Sequence, residues 1–273
     1  SRTARVADQV IRELDEAVSR AMGDLGEPGP VYVEIPTDVL RAHVPPQLVL
    51  EDWMRPKAPR VLPPDPAAVA AAVDVLWAAK RPLVVSGRGA RSAGPELVRL
   101  LDALGAVYLD TQESRGLVPA EHPATVGAMR AAAMTEADVV LVVGRKLDYQ
   151  LGYGSPAVFP NARFVRIADT AGELVDNRRG EPELLATPAL ALAAIVDAAG
   201  NRAPALDTTW ADGLRERHRQ RSTGGKAPQT GSDGRVHPAA IFDAIRRVAD
   251  PDYVAIADGG DLLSFARIGL EAR

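Results

Sequence analysis

The sequence predicts an α/β fold built on a central doubly wound parallel sheet, and three observations carry that expectation. Two short apolar runs, Leu83-Val84-Val85 and Asp138-Val139-Val140-Leu141-Val142-Val143, have the length and β-branched content of strands buried on both faces. Each run spills into glycine and charge, at Ser86-Gly87-Arg88-Gly89-Ala90 and at Gly144-Arg145-Lys146-Leu147-Asp148-Tyr149. From about residue 60 to 200, segments with helical spacing alternate with short apolar runs, the pattern of parallel strands joined by crossover helices. Ligands of such sheets bind outside the carboxyl ends of the strands, so the turns after Ser86 and Val143 mark the candidate site.

Each element follows in order. Between Arg5 and Met22, apolar residues at Val6, Val10, Ile11, Leu14, Val18 and Met22 recur near helical spacing, and Gly23 with Gly26-Glu27-Pro28-Gly29-Pro30 ends the helix. Val31 to Ile35 is expected to be a strand, closed by Pro36. Eight prolines from Pro36 to Pro66 disfavour long helices and mark a linker. Asp65 then stands as an N-cap before Pro66 at the first helical position, with Val69, Ala72, Val73, Leu76 and Trp77 as the apolar stripe.

The strand at 83–86 is followed by a helix from about Gly94 to Leu104 and a strand at Val107-Tyr108-Leu109. Further strands are expected at 138–143, at Phe164-Val165-Arg166-Ile167 and, edge-like, at Leu184-Leu185-Ala186, followed by a helix from Pro188 to Ala199. Residues 201–235 are expected to be a linker containing an Arg-rich helical piece. A helix opened by His237-Pro238, a strand at Tyr253 to Ala257, an Asp258-Gly259-Gly260-Asp261 turn and a helix from Leu262 complete the chain. The resulting domains are 1–45, a linker at 46–65, a central α/β domain at 66–200, a linker at 201–235 and a final segment at 236–273.

The 273 residues are 47% hydrophobic and 25% charged, a globular composition with enough chain for a sizeable core. No apolar run is long enough to span a bilayer and the first residues lack a signal peptide's apolar stretch, so the expected address is cytoplasmic, without membrane association. A formal charge of −4 disfavours nucleic acid as a partner. There is no cysteine, which excludes disulfides and thiolate metal sites, and none of the four histidines pairs with another at metal-ligand spacing.

Gly87, Arg88 and Gly89 at a strand-to-helix turn would let backbone amides approach an anion, although a tight turn for its own sake requires the same glycines. Gly144, Lys146 and Asp148 lie at the matching turn of the second strand. Asp169 ends a later strand, as a ribose acceptor or a helix cap. Gly260 and Asp261 suit a phosphate cradle at a helix start, or a plain Asp/Gly turn.

In this order the segments resemble thiamine-diphosphate enzymes of the acetolactate synthase and oxalyl-CoA decarboxylase group. Gly29-Pro30-Val31-Tyr32-Val33-Glu34-Ile35-Pro36-Thr37-Asp38-Val39 is similar to the closing strand of their pyrimidine-binding domain. Arg81 to Gly89, Gly116 to Pro123 and Ala137 to Gly144 resemble successive parts of their central domain, and His237-Pro238 through Asp261 resembles the opening of their diphosphate-binding domain. The resemblance implies a DHS-like central sheet of the NAD/FAD-binding type, flanked by partial pyrimidine- and diphosphate-binding segments.

It further implies that Gly87, Gly89, Thr111, Gly127, Gly144, Lys146, Asp148 and Asp169 line a nucleotide, FAD in the acetolactate synthases and ADP in the oxalyl-CoA decarboxylases. Flavin-bearing members carry a second arginine where this chain has Gln150 and an acid where it has Thr187. Gly260, Asp261 and Leu262 fall where the family contacts the thiamine diphosphate phosphates. The family's catalytic glutamate and its Mg2+-ligating segment match no part of the chain, so both ends are expected to continue into a larger enzyme. That parent would be an acetohydroxyacid synthase-like transferase condensing 2-oxoacids as a homodimer or homotetramer. An oxalyl-CoA decarboxylase-like lyase and a non-catalytic nucleotide-binding module are the alternatives.

Overall fold

The computed structural model describes residues 1–24, 26–46, 58, 60–223, 229–250 and 253–270. The chain divides into two compact units, Ser1–Leu62 with Thr170–Gly172, and Pro63–Asp169 with Glu173–Arg273. Much of the expected proline-rich linker, including Pro56 and Pro59, lies outside the described residues.

In the first unit, strand β1 (Arg2–Thr3) pairs in parallel with β2 (Val33–Glu34). Between them runs α1 (Val10–Met22), preceded by a 3-10 turn at Ala7–Gln9, so the regular helix starts later than its apolar spacing suggests. It ends where Gly23 takes φ 90° and returns its amide to the Arg20 and Ser19 carbonyls, a left-handed cap that suits glycine. Arg2 bonds Glu13 at 2.8 Å and also Glu16, fixing β1 to the helix surface. A short helix, α2 (Thr37–Arg41), follows Pro36.

The second unit holds the sheet. Its elements are α3 (Pro66–Trp77), β3 (Pro82–Ser86), α4 (Gly94–Leu104), β4 (Val107–Leu109), α5 (Arg130–Glu136), β5 (Val139–Val143), β6 (Arg163–Ala168), the Glu173–Leu174 end of the short helix α6 (Ala171–Leu174), β7 (Glu183–Leu185), α7 (Pro188–Ala199), α8 (Thr208–Thr223), α9 (Pro238–Val248) and α10 (Gly260–Gly269). The strands run in the order β4-β3-β5-β6-β7, all parallel, with Leu83 opposite Val140 and Val140 opposite Phe164. The two apolar runs that predicted the fold are therefore direct neighbours at the sheet's centre. The fold is α/β, as the sequence indicates.

Strand side chains alternate between two cores because successive residues face opposite sides of a pleated sheet. Val84, Tyr108, Leu141, Val143, Val165 and Ile167 pack against α3, α4 and α7. Leu83, Val85, Leu109, Val140, Val142 and Phe164 pack on the other face, with Met129, Ala133, Met134, Trp210 and Leu214. Helix starts follow the local chemistry: Asp65 accepts from the Ala67 amide at 2.8 Å ahead of Pro66, and His237 Nδ1 accepts from the Ala239 amide at 3.2 Å ahead of Pro238.

Two elements differ from expectation. Within the stretch assigned to a linker, α8 is a structural helix: Trp210, Ala211 and Leu214 close the second core, and the Trp210 indole donates to Glu136 at 2.8 Å. Its remaining residues are charged or polar apart from Gly213, which hides the buried stripe from a periodicity test. Tyr253 to Ala257 is not a strand. A strand exists only through pairing, and among the described residues this segment pairs with none, leaving Val254 and Ile256 88% and 93% exposed. No helix of the described residues is long and apolar enough to cross a membrane.

Candidate nucleotide site at the carboxyl edge of the sheet

The turns after β3 and β5 leave the same edge of adjacent parallel strands and pack backbone against backbone. The Gly87 amide donates to the Val143 carbonyl at 3.0 Å, Gly89 to Gly144 at 2.9 Å, and Gly144 to Ile167 at 2.8 Å. A Cβ on Gly87 would stand 2.7 Å from the Gly144 oxygen and 2.5 Å from Arg145 Cδ. These glycines are required for close approach of the two turns. Their amides are already committed within the protein and are not donors for an anion, contrary to the phosphate-cradling role that their spacing suggests.

A polar knot supports the first turn from below. Tyr108 Oη and Ser86 Oγ lie 2.6 Å apart, Thr111 Oγ1 donates to the Ser86 carbonyl at 2.6 Å, and Ser114 Oγ accepts from the Thr111 amide at 2.9 Å. All four residues are buried. Burial pushes the Tyr108 hydroxyl up to about 12, so it stays neutral within this knot.

Above the turns lies a cleft of about 250 Å3 lined by Arg88, Thr111, Glu113, Gly144, Arg145, Lys146, Asp148 and Glu173. Three cations and three carboxylates face one another there. Arg88 pairs with Glu113 at 3.2 Å, and Arg145 reaches Asp148 at 2.9 Å and Gln150 Oε1 at 2.9 Å. Two orphaned polar atoms remain in the wall: Glu173 Oε2 and Arg145 Nε are buried without a hydrogen-bond partner. Burial, and then the charge of Asp169, raise the Glu173 carboxyl above its usual range, which Lys146 and Arg166 only partly offset. The cleft thus offers the Lys146 cation to an anionic group and the Glu173 carboxyl to a hydroxyl or amino group.

Of the residues singled out from sequence, Arg88, Thr111, Gly144, Lys146 and Asp148 meet at the cleft, with Gly87 and Gly89 in the turn beneath it. Gly127 does not line it. That residue opens the 3-10 turn Gly127–Met129, whose Ala128 amide donates to His218 Nδ1 of α8 at 3.2 Å. Asp169 is exposed just beyond β6 and bears on the cleft through its charge on Glu173. Gly260, Asp261 and Leu262 form the exposed first turn of α10 and take no part in the cleft. There Gly259 and Gly260 adopt φ 50° and 58° with nothing within 4 Å of an added Cβ, leaving an uncrowded helix start.

Sequence reasoning missed Arg145, Glu113 and Glu173 as lining residues. Arg145 sits inside a motif already marked, but a cation beside a glycine is ordinarily only solvated. Glu173 lies four residues past Asp169, where nothing in the spacing distinguishes it. Among the described residues, no three of Asp, Glu and His gather in a cluster that could hold a metal ion.

Residues 69–195 match the family model described as "Thiamine pyrophosphate enzyme, central domain". The chain is 35% identical over 181 residues to 2-hydroxyacyl-CoA lyase of Arabidopsis thaliana, covering 64% of this chain and 30% of that protein. It is 25% identical over 266 residues to oxalyl-CoA decarboxylase of Escherichia coli K12, covering 94% and 47%. The chain spans less than half the length of these curated relatives. An X-ray structure described as a thiamin diphosphate-dependent enzyme isolated from Mycobacterium smegmatis superposes with a TM-score of 0.69 at 19% identity, over 99% of this chain and 50% of that one. Over the central sheet, residues 69–195, the chain is thus similar to the central domain of thiamine pyrophosphate enzymes.

Proposed function

We propose that this chain is the central part of a thiamine-diphosphate-dependent lyase acting on 2-hydroxyacyl-CoA or oxalyl-CoA thioesters, with an adenine nucleotide such as ADP in the cleft. The cleft carries the reading. Small-molecule pockets occupy about 300–1,000 Å3, so a cleft of about 250 Å3 suits part of a mononucleotide better than a flavin dinucleotide. The ADP-bearing branch of the resemblance is the oxalyl-CoA decarboxylase branch, and the named relatives above are a CoA lyase and a CoA decarboxylase.

When bound, thiamine diphosphate supplies a carbon that stabilises the carbanion left as a bond beside a carbonyl breaks. This chain would contribute the α10 start, where the Gly259-Gly260 turn and first-turn amides suit a phosphate group. Mg2+ would be held elsewhere in the parent protein. In the cleft, Lys146 would meet the nucleotide's phosphates, Glu173 a ribose or adenine donor, and the Arg145–Asp148 pair would fix the rim.

A second reading, condensation of 2-oxoacids as in the acetolactate synthases with FAD in the cleft, is favoured by the ordered segments from Gly29 to Asp261. The complete protein, supplied with thiamine diphosphate and Mg2+, separates the two. Release of an aldehyde from a 2-hydroxyacyl-CoA, or of CO2 from oxalyl-CoA, supports the lyase, whereas an acetohydroxyacid from pyruvate supports the second reading. Nucleotide binding without turnover of any of the three substrates overturns both. The active protein is proposed to be a homodimer or homotetramer, which its mass in solution tests.

A further inference from the structure

Arg166 is a charged residue flanked by apolar ones within β6, and its side chain is 1% exposed. Its guanidinium makes a bidentate pair with Asp176, with Nη2 to Oδ2 at 3.1 Å. It also donates to four carbonyls: Leu174 at 3.2 Å, Arg178 at 2.7 Å, Arg145 at 3.2 Å and Glu173 at 2.5 Å. The last two belong to residues on the cleft wall, so one buried fork fixes the backbone on both sides of the cleft.

Asp176 and the adjoining Asn177 extend this frame to Leu147. Asp176 Oδ2 accepts from the Leu147 amide at 2.7 Å, and Asn177 Nδ2 donates to the Leu147 carbonyl at 2.9 Å. Both polar groups of Leu147 are thereby held while its side chain is fully buried. Its neighbours Lys146 and Asp148 are left to line the cleft. A buried ion pair costs desolvation and is weak evidence for stability alone. Here, beyond the internal Arg166–Asp176 pair, every bond of the frame but those to Leu174 and Arg178 ends on a cleft residue or on Leu147 between two of them.

We propose that Arg166, Asp176 and Asn177 are positioning residues of the cleft, setting Lys146 for an anionic ligand and Asp148 for its rim pair with Arg145, without touching the ligand. This rests on the nucleotide reading given above. Arg166 and Asp176 are too deeply paired for a clean deletion, but Asn177 is exposed and one bond from Leu147, so its variant is expected to fold.

The test is ADP and pyrophosphate titration of the complete protein by calorimetry, for wild type, Asn177→Ala, Lys146→Ala and the double variant. Losing one positioning hydrogen bond should weaken ADP about fivefold. In the Lys146→Ala background the same change should cost less than about twofold, because positioning has no remaining target. Hydrogen exchange of the Leu147 amide, slow in wild type, should accelerate in Asn177→Ala with no ligand present. If wild type binds neither probe, the cleft reading falls and the positioning role with it. If wild type binds ADP while Asn177→Ala binds equally well, or if the two substitutions are additive, the positioning role alone is overturned. An unprotected Leu147 amide in wild type overturns the frame whatever the titrations give.

Discussion

Gly89 and Gly144 hold the two ligand turns in backbone contact: the Gly89 amide donates to the Gly144 carbonyl at 2.9 Å, and a Cβ on Gly144 would lie 2.5 Å from Gly89 Cα. Gly144 also takes φ 55°, in the left-handed region. Gly144→Ala therefore combines backbone strain with a clash against main chain that cannot swing away, and should cost roughly 2–5 kcal/mol. Gly127→Ala is the contrast, since nothing lies within 4 Å of its added Cβ. It should range from no change to a gain of about 1 kcal/mol. Urea unfolding of the two variants checks both; equal losses would remove the packing account of Gly144.

Tyr108 is expected to behave as a buried, neutral hydrogen-bond partner of the Ser86 hydroxyl beneath the cleft. Tyr108→Phe leaves the Ser86 hydroxyl without this partner in a buried setting, at a cost of roughly 1–3 kcal/mol. The difference in ultraviolet absorbance between wild type and variant should show no tyrosinate band until about pH 12. A band at the ordinary tyrosine range would mean that water reaches the knot.

The sheet was legible because burial on both faces writes itself as unbroken apolar runs, as in Val139 to Val143. Helix starts were legible where a cap and a proline coincide, at Asp65-Pro66 and His237-Pro238. Parts of the cleft followed from topology alone, since Arg88, Gly144, Lys146 and Asp148 sit at strand ends. Glu173 was not legible, because its place depends on how α6 folds back after β6. Arg166 did leave a signal, a charge inside Phe164-Val165-Arg166-Ile167, but its partner Asp176 lies on an irregular segment that no periodicity marks. The Tyr253 to Ala257 run shows the converse limit, since a short apolar run states a capacity to pair and not the presence of a partner strand.

Glu173 should make the free protein less stable at neutral pH than a neutral replacement does. Burial and Asp169 raise its folded pKa above the ordinary 4.5, while Lys146 and Arg166 oppose the shift and Asp176 adds to it. The folded state therefore keeps this proton to higher pH than the unfolded chain. Its contribution is fully present below about 4.5 and is lost as pH rises through the raised folded value. Melting curves of wild type and Glu173→Gln should coincide at acid pH and separate as pH rises, with the variant melting higher. Curves that separate in the opposite sense would mean that the carboxylate is better paired than the cleft geometry indicates.

Lys146 separates a nucleotide cleft from a merely solvated rim. On the nucleotide reading its ammonium meets phosphate oxygens, and a charge-assisted bond of that kind is worth about 1.5–3 kcal/mol. Lys146→Ala should then weaken ADP roughly 10-fold or more while leaving adenosine unchanged, because adenosine has no phosphate to lose. Lys146→Arg should recover part of the affinity, since the charge survives although the fork of donors differs in shape. Raising the salt concentration should narrow the gap between wild type and Lys146→Ala, as screening removes what the substitution removes. Calorimetric titration of ADP and adenosine at two ionic strengths gives all of these outcomes. Equal loss of ADP and adenosine would assign Lys146 to the shape of the cleft and not to its charge.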